Sequence, residues 1–262
     1  MEILGYIASA LIGISLGLIG GGGSILTVPV LVYLFGVDPI SATAYSLFIV
    51  GITSLVGTYP KYKDGMVNIK TGLIFGAPSI ATVYLTRKFI VPAIPSEIFS
   101  IGDFSLSKSM LLMLLFAILM VFASFSMIRD KKINNHVGVN KMNYPMILIE
   151  GAVVGLLTGL VGAGGGFLII PALVLFTGLS MKEAVGTSLM VIAAKSLIGF
   201  TGDLSNIDMD WNILILVSTI AIAGIFLGSY LSTKIDGAKL KKGFGWFILV
   251  MGIYIILKEV VL

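Results

Sequence analysis

Two glycine-rich stretches hold the backbone best suited to chemistry in this chain. Gly20, Gly21, Gly22 and Gly23 run into Ser24, and Gly162, Ala163, Gly164, Gly165 and Gly166 form a second run. Each precedes a short apolar arm with a proline in it, Pro29 or Pro171. Proline is comfortable in the first turn of a helix, so the spacing predicts arms that start near Val28 and Ile170. A helix N-terminus presents unpaired N–H groups and about half a positive charge, and glycine lets a ligand reach that backbone unobstructed. The chemistry implied is anion binding. Glycines also allow close helix packing or a kink, but four nearly consecutive ones exceed what packing requires.

Lys195 is the most informative single side chain. It stands deep in an apolar segment, between Val191-Ile192-Ala193-Ala194 and Leu197-Ile198. An ionisable group at that depth faces a polar cavity or snorkels to the interface, and the long stem of lysine permits both. Ser188, seven residues earlier, shares nearly the same helical angle, and Thr187 adjoins it. In the first half the equivalent positions are Ser46 and Thr53, so one helix face is polar twice and charged once. Glu150 reads as an interfacial carboxylate in preference to a proton-coupling one. Asp203 reads as a solvated loop carboxylate in preference to a gate. Tyr6, Tyr144, Trp211 and Trp246 sit near segment ends, where interfacial anchoring accounts for them.

Other chemistries find little support. The chain has no cysteine, and its single histidine, His136, falls in the polar stretch 129–141, so thiol chemistry and a cluster of His ligands are excluded. No cofactor or metal is expected. An intramembrane hydrolase built on Ser24 would need a base, and Lys195 has no spacing that pairs it with that serine. An enzyme is not expected, and a scaffold would leave the two glycine turns unexplained.

The elements around these residues must lie in a bilayer. Apolar residues make up 57% of the 262, charged residues only 11%, and the mean hydropathy is +1.08. The formal charge of +4 sits mainly in short loops, which argues for membrane sidedness and against nucleic acid. Gly17-Leu-Ile-Gly-Gly-Gly-Gly-Ser24 aligns with Gly159-Leu-Val-Gly-Ala-Gly-Gly-Gly166, 142 residues later, and the register continues without a gap. It pairs Pro29 with Pro171, Gly36 with Gly178, Ala42 with Ala184, Ser54-Leu55 with Ser196-Leu197, and Gly57 with Gly199. Such agreement is the signature of a duplication. It also argues that the first apolar segment is retained and is no signal peptide, because its second copy lies mid-chain.

Each half parses into five apolar segments: 3–19, 25–35, 40–58, 71–90 and 110–128, then 144–161, 167–177, 182–201, 211–233 and 244–257. The last three of each half approach the roughly 20 residues a spanning helix needs. The second does not, since eleven helical residues reach only about 16 Å, so arm and glycine tip should stop inside the membrane. The expected architecture is an all-α integral membrane protein of two inverted-topology repeats. Each repeat has a glycine-turn broken hairpin plus three transmembrane helices. The first repeat spans 1–128, a cytoplasmic linker 129–143, and the second repeat 144–262. Lysine and arginine place loops 60–70, 129–143 and 234–242 in the cytoplasm, while 202–210, with Asp203, Asp208 and Asp210, should face outward. An odd number of segments per half delivers the inversion and puts both termini outside. Arg87, Lys88 and Lys108 dissent, flanking what should be an outer loop and partly offset by Glu97 and Asp103.

The paired glycine units with their prolines, Ala-Val-Gly-Thr-Ser-Leu at 184–189 and Leu-Ile-Gly-Phe-Thr-Gly-Asp at 197–203, resemble the sulfite exporter TauE/SafE family over nearly the whole chain. The resemblance implies transport of sulfite, organosulfonates or related sulfur oxyanions across the cell membrane, in either direction. The expected function is therefore alternating-access transport of a small anion, with an anion channel of the same fold as the alternative. Oligomeric state and coupling ion are left open.

Overall fold

A computed structural model describes residues 2–101, 104–128, 144–232 and 237–261. The elements are α1 (Glu2–Ile19), α2 (Thr27–Tyr33), α3 (Pro39–Lys63), α4 (Ile69–Leu85), α5 (Val91–Ala93), β1 (Glu97–Ile101), β2 (Phe104–Ser107), α6 (Lys108–Ile128), α7 (Tyr144–Val161), α8 (Gly166–Thr177), α9 (Met181–Thr201), α10 (Trp211–Leu231) and α11 (Gly237–Val261). Among the described residues, α3, α9, α10 and the stretch Lys108–Phe125 of α6 are long and apolar enough to cross a membrane. Large apolar side chains such as Leu11, Phe122, Ile149 and Val250 remain exposed, which suits a lipid-facing surface. The linker 129–143 with His136, and also Asp103 and Lys234, lie outside the described residues.

Helix starts follow from their caps. Asp38 accepts from the N–H groups of Ile40 and Ser41 ahead of Pro39, and Asn68 accepts from Thr71 N–H. Ser180 and Glu183 form a reciprocal capping box on α9, and Asp210 caps α10.

The packing joins helices from before residue 128 to helices from after residue 144. α1 runs parallel to α10, with Gly13 against Ala221 and Gly17 against Ile225 and Gly228. α7 runs parallel to α4, with Gly151 against Phe75, Gly155 against Ser79 and Gly159 against Thr86. In both pairs the missing side chains let the backbones approach closely. α3 and α9 cross antiparallel, Gly51 meeting Leu197 and Leu47 meeting Gly199. α6 and α11 are antiparallel as well, with Gly252 against Met120 and Gly245 against Met127. The apolar windows of α3 and α9 are each 67% buried against 39% for α6 and α10, so the first pair forms the centre.

α9 also marks the two ends of the bundle. Gly186 packs on Met66, whereas Gly202 packs on Arg87. About 24 Å of helix separates these contacts, which puts the loops around 64–68 and 202–210 at opposite ends. Tyr45 hydroxyl donates to Asp208 carbonyl oxygen and accepts from Asp210 N–H at the second of these ends.

Several expectations are corrected. The first arm begins at Thr27, close to the position expected from Pro29, but the second begins at Gly166, so Pro171 sits inside α8 and not at its start. Glycines at positive φ already supply the sharp entry there, and the proline's missing N–H falls one turn further in. The apolar segment ending at Ile90 is not one regular helix: α4 stops at Leu85 and widens into a π turn over Thr86–Ile90. Pro92 cannot donate to the carbonyl of Lys88, which loosens the ladder at this point. What was read as an outer loop contains an antiparallel hairpin, Glu97 opposite Ser107, with a bulge between Glu97 and Phe99.

Candidate functional site

The two glycine turns meet. A Cβ on Gly21 would overlap the Cα of Gly166, and a Cβ on Gly166 would overlap the backbone of Gly21. Gly20 and Gly162 hold positive φ values of 74° and 73°, and Gly164 and Gly165 follow at 63° and 68°. Only glycine adopts such a run without strain. After this shared entry the turns differ: Gly21–Leu26 winds as a 3-10 helix, whereas Gly166 opens α8 directly.

Each turn docks on the central helix of the other half. Gly20 lies against Val185 and Gly21 against Ile192 on α9, while Gly162 lies against Thr43 and Gly164 against Val50 on α3. Val185 and Ile192 are the register partners of Thr43 and Val50. Ser24 closes the contact from the first turn, its Cβ 3.2 Å from where a Gly164 Cβ would lie. The Ser24 hydroxyl itself donates to Gly21 carbonyl oxygen over 2.7 Å. Ala163 and Gly23 are buried in the same layer, Gly23 against Ser15 and Leu16 of α1.

Lys195 does not snorkel. It is 0% exposed, and its Nζ donates to Thr158 Oγ1 of α7 at 2.8 Å. The ammonium rests on the second glycine turn, since a Cβ on Gly165 would lie 2.8 Å from Nζ. No carboxylate lies within ion-pair reach of it among the described residues. Thr53, its register partner, is fully buried and donates to Ile49 carbonyl oxygen. Ser46 is buried with no partner for its hydroxyl, and Ser188 donates to Val185 carbonyl oxygen. Thr187 is not brought to the turns: it accepts from Asn68 N–H where α4 begins, about 12 Å along α9 from Lys195.

A second buried cation flanks the same turn. Arg87, in the π turn, is 0% exposed and donates from Nη1 to Thr43 Oγ1 at 2.9 Å, beside Gly162. The same nitrogen is 3.4 Å from Asp203 Oδ2. Asp203 is 1% exposed, which corrects its reading as a solvated carboxylate. Burial pushes its carboxyl up to about 6, with Arg87 and Lys108 pulling it down. Among the described residues, Nε and Nη2 of Arg87 have no hydrogen-bond partner. Glu150 is half-buried with one carboxyl oxygen sealed from solvent and unpartnered, so it is not a plainly solvated interfacial group.

Arg87, Thr43 and Thr158 were missed by the sequence argument. Arg87 lies within the apolar segment 71–90, and its depth was a signal read only as loop charge. Thr158 directly precedes the second glycine motif, a lone hydroxyl in an apolar run. A cavity of about 200 Å³ lined by Tyr6, Leu34, Phe35, Asn212, Ile213, Leu216 and Val217 lies at one end of the bundle and contains no charged side chain.

Comparison with known proteins fits this geometry. Residues 6–255 match the family model described as sulfite exporter TauE/SafE. A probable membrane transporter protein of Xylella fastidiosa strain 9a5c is 30% identical over 255 residues, covering 95% of this chain and 92% of that protein. The probable membrane transporter protein YdhB of Bacillus subtilis is 29% identical over 224 residues, 86% of each chain. One from Haemophilus influenzae is 25% identical over 280 residues, 98% of each. No solved structure matches the chain. A multi-helix membrane protein with two buried glycine turns, matched along nearly its whole length, the chain belongs to the sulfite exporter TauE/SafE family of membrane transporters.

Proposed function

We propose that the protein carries a small anion, sulfite or an organosulfonate or related sulfur oxyanion, by alternating access between two inverted-topology repeats. The observation that carries this reading is the back-to-back contact of Gly21 and Gly166 beside the buried ammonium of Lys195. Backbone N–H groups at a glycine turn, an ammonium and hydroxyls together can replace the hydration of an oxyanion. The antiparallel crossing of α3 with α9, and of α6 with α11, supports repeats of opposite orientation spanning 1–128 and 144–262. The positive φ shared by Gly36 and Gly178, 70° and 69°, supports the same register at the far ends of the arms. Residues proposed for the site are the two turns, Ser46, Thr53, Ser188 and Lys195, with Thr158 and Arg87 added; Thr187 is left out because it accepts from Asn68 N–H.

Alternating access suits a site sealed from solvent. Lys195 is 0% exposed, so an anion reaches it only when the groups around it move. The basic loops suggest that the ends of α3 and α6 face the cytoplasm and the 202–210 loop the outside, which also leaves both termini external.

The deciding experiment is a panel of sulfite, methanesulfonate, thiosulfate and acetate, scored first by thermal stabilisation of the purified protein and then by flux into proteoliposomes. A sulfur oxyanion should raise the melting temperature by mass action and give saturable flux. Non-saturating flux would indicate a channel, and no response to any sulfur oxyanion would sink the substrate assignment.

A further inference from the structure

Resting on the anion site just described, we propose that this site selects monoanions over dianions of similar size, because the charge the chain itself buries there sums to one positive unit. Among the described residues the buried charged side chains are Arg87, Lys195 and Asp203. Arg87 and Asp203 neutralise each other across 3.4 Å. Lys195 meets only the hydroxyl of Thr158 and the glycine backbone. Glu150, the carboxylate on α7, is half-exposed and about 12 Å along the helix from Thr158, too far to neutralise the ammonium directly.

A charge removed from water costs several kcal/mol unless a partner offsets it. A monoanion beside Lys195 leaves a neutral pair. A dianion leaves one negative charge uncompensated in a low-dielectric layer walled by Val50, Ile192 and Ile170. The spare Nε and Nη2 of Arg87 can donate to anion oxygens, but they add no net charge while Asp203 stays beside them. The site is also lopsided: both buried cations flank the Gly162–Gly166 turn, and the register partner of Lys195 is the neutral, buried Thr53.

The test uses the full chain in proteoliposomes at neutral pH, with methanesulfonate against sulfate and ethanesulfonate against ethane-1,2-disulfonate as competing probes. Half-saturation by each monoanion should come at a concentration at least about tenfold lower than by its dianion. Lys195→Met, which leaves either anion uncompensated, should raise the half-saturation concentration of both classes without reversing their order, and Thr53→Lys, which adds a buried positive charge with no carboxylate beside it, should reverse the preference. Equal or tighter use of the dianions by the natural chain overturns the charge rule and leaves the anion site standing. Failure of both probe classes to bind or move overturns the site reading and this inference together. If Thr53→Lys does not fold, the comparison in the natural chain still decides.

Discussion

Gly21 and Gly166 touch backbone to backbone, and neither position has room for a methyl group. The contact joins the tip of a 3-10 turn to the first residue of α8, so the two broken arms share one plane.

Gly166→Ala should therefore be poorly tolerated. The added methyl overlaps Gly21, and relief requires moving one of the two arms, at a cost of about 1–3 kcal/mol. Thermal unfolding in detergent should show a lower midpoint, with transport reduced further than the yield of folded protein. An alanine variant as stable and active as the natural chain would show that the arms separate freely.

Lys195→Met removes the ammonium and keeps the stem. Anion binding should weaken by about 1–3 kcal/mol, the scale of a charge-assisted hydrogen bond, while stability holds or rises because a costly buried charge is gone. Calorimetric titration with the best anion of the panel measures the first quantity, and unfolding the second. Thr158→Val leaves the charge but removes the hydroxyl holding Nζ, so a smaller loss of about 1 kcal/mol is expected. Unchanged affinity in Lys195→Met removes the residue from the site.

The Arg87–Asp203 pair should behave as a unit. Asp203→Leu alone strands a buried guanidinium and should destabilise the protein by about 3–5 kcal/mol, whereas adding Arg87→Met should restore most of that loss. A double-mutant cycle on unfolding midpoints tests it. Additive effects would mean that the two charges do not interact.

Topology can be read with single cysteines, because the natural chain has none. Lys63→Cys and Asn206→Cys are both exposed and lie towards opposite ends of the bundle. An impermeant thiol reagent should label Asn206→Cys on intact cells and Lys63→Cys only after the membrane is opened. Labelling of both from one side would rule out the inverted arrangement.

The amino-acid order alone determined the solvent and the family, and it set Lys195 deep in an apolar segment. Long apolar runs have no stable alternative to a bilayer, and a glycine run repeated 142 residues later is legible without coordinates because both facts are local or periodic. The same local reasoning set the start of the first arm near Pro29. What it could not decide was which distant residues meet. Lys195 could have snorkelled, and only the tertiary structure supplied Thr158 of α7 and Gly165 as its neighbours. Arg87 and Asp203 stood as loop charges until tertiary packing buried both, because an ion pair between residues 116 positions apart leaves no local trace. Pro171 followed the same rule: a preference worth a few kcal/mol at a helix start gave way once the glycine turn placed that start at Gly166, four residues before the expected Ile170.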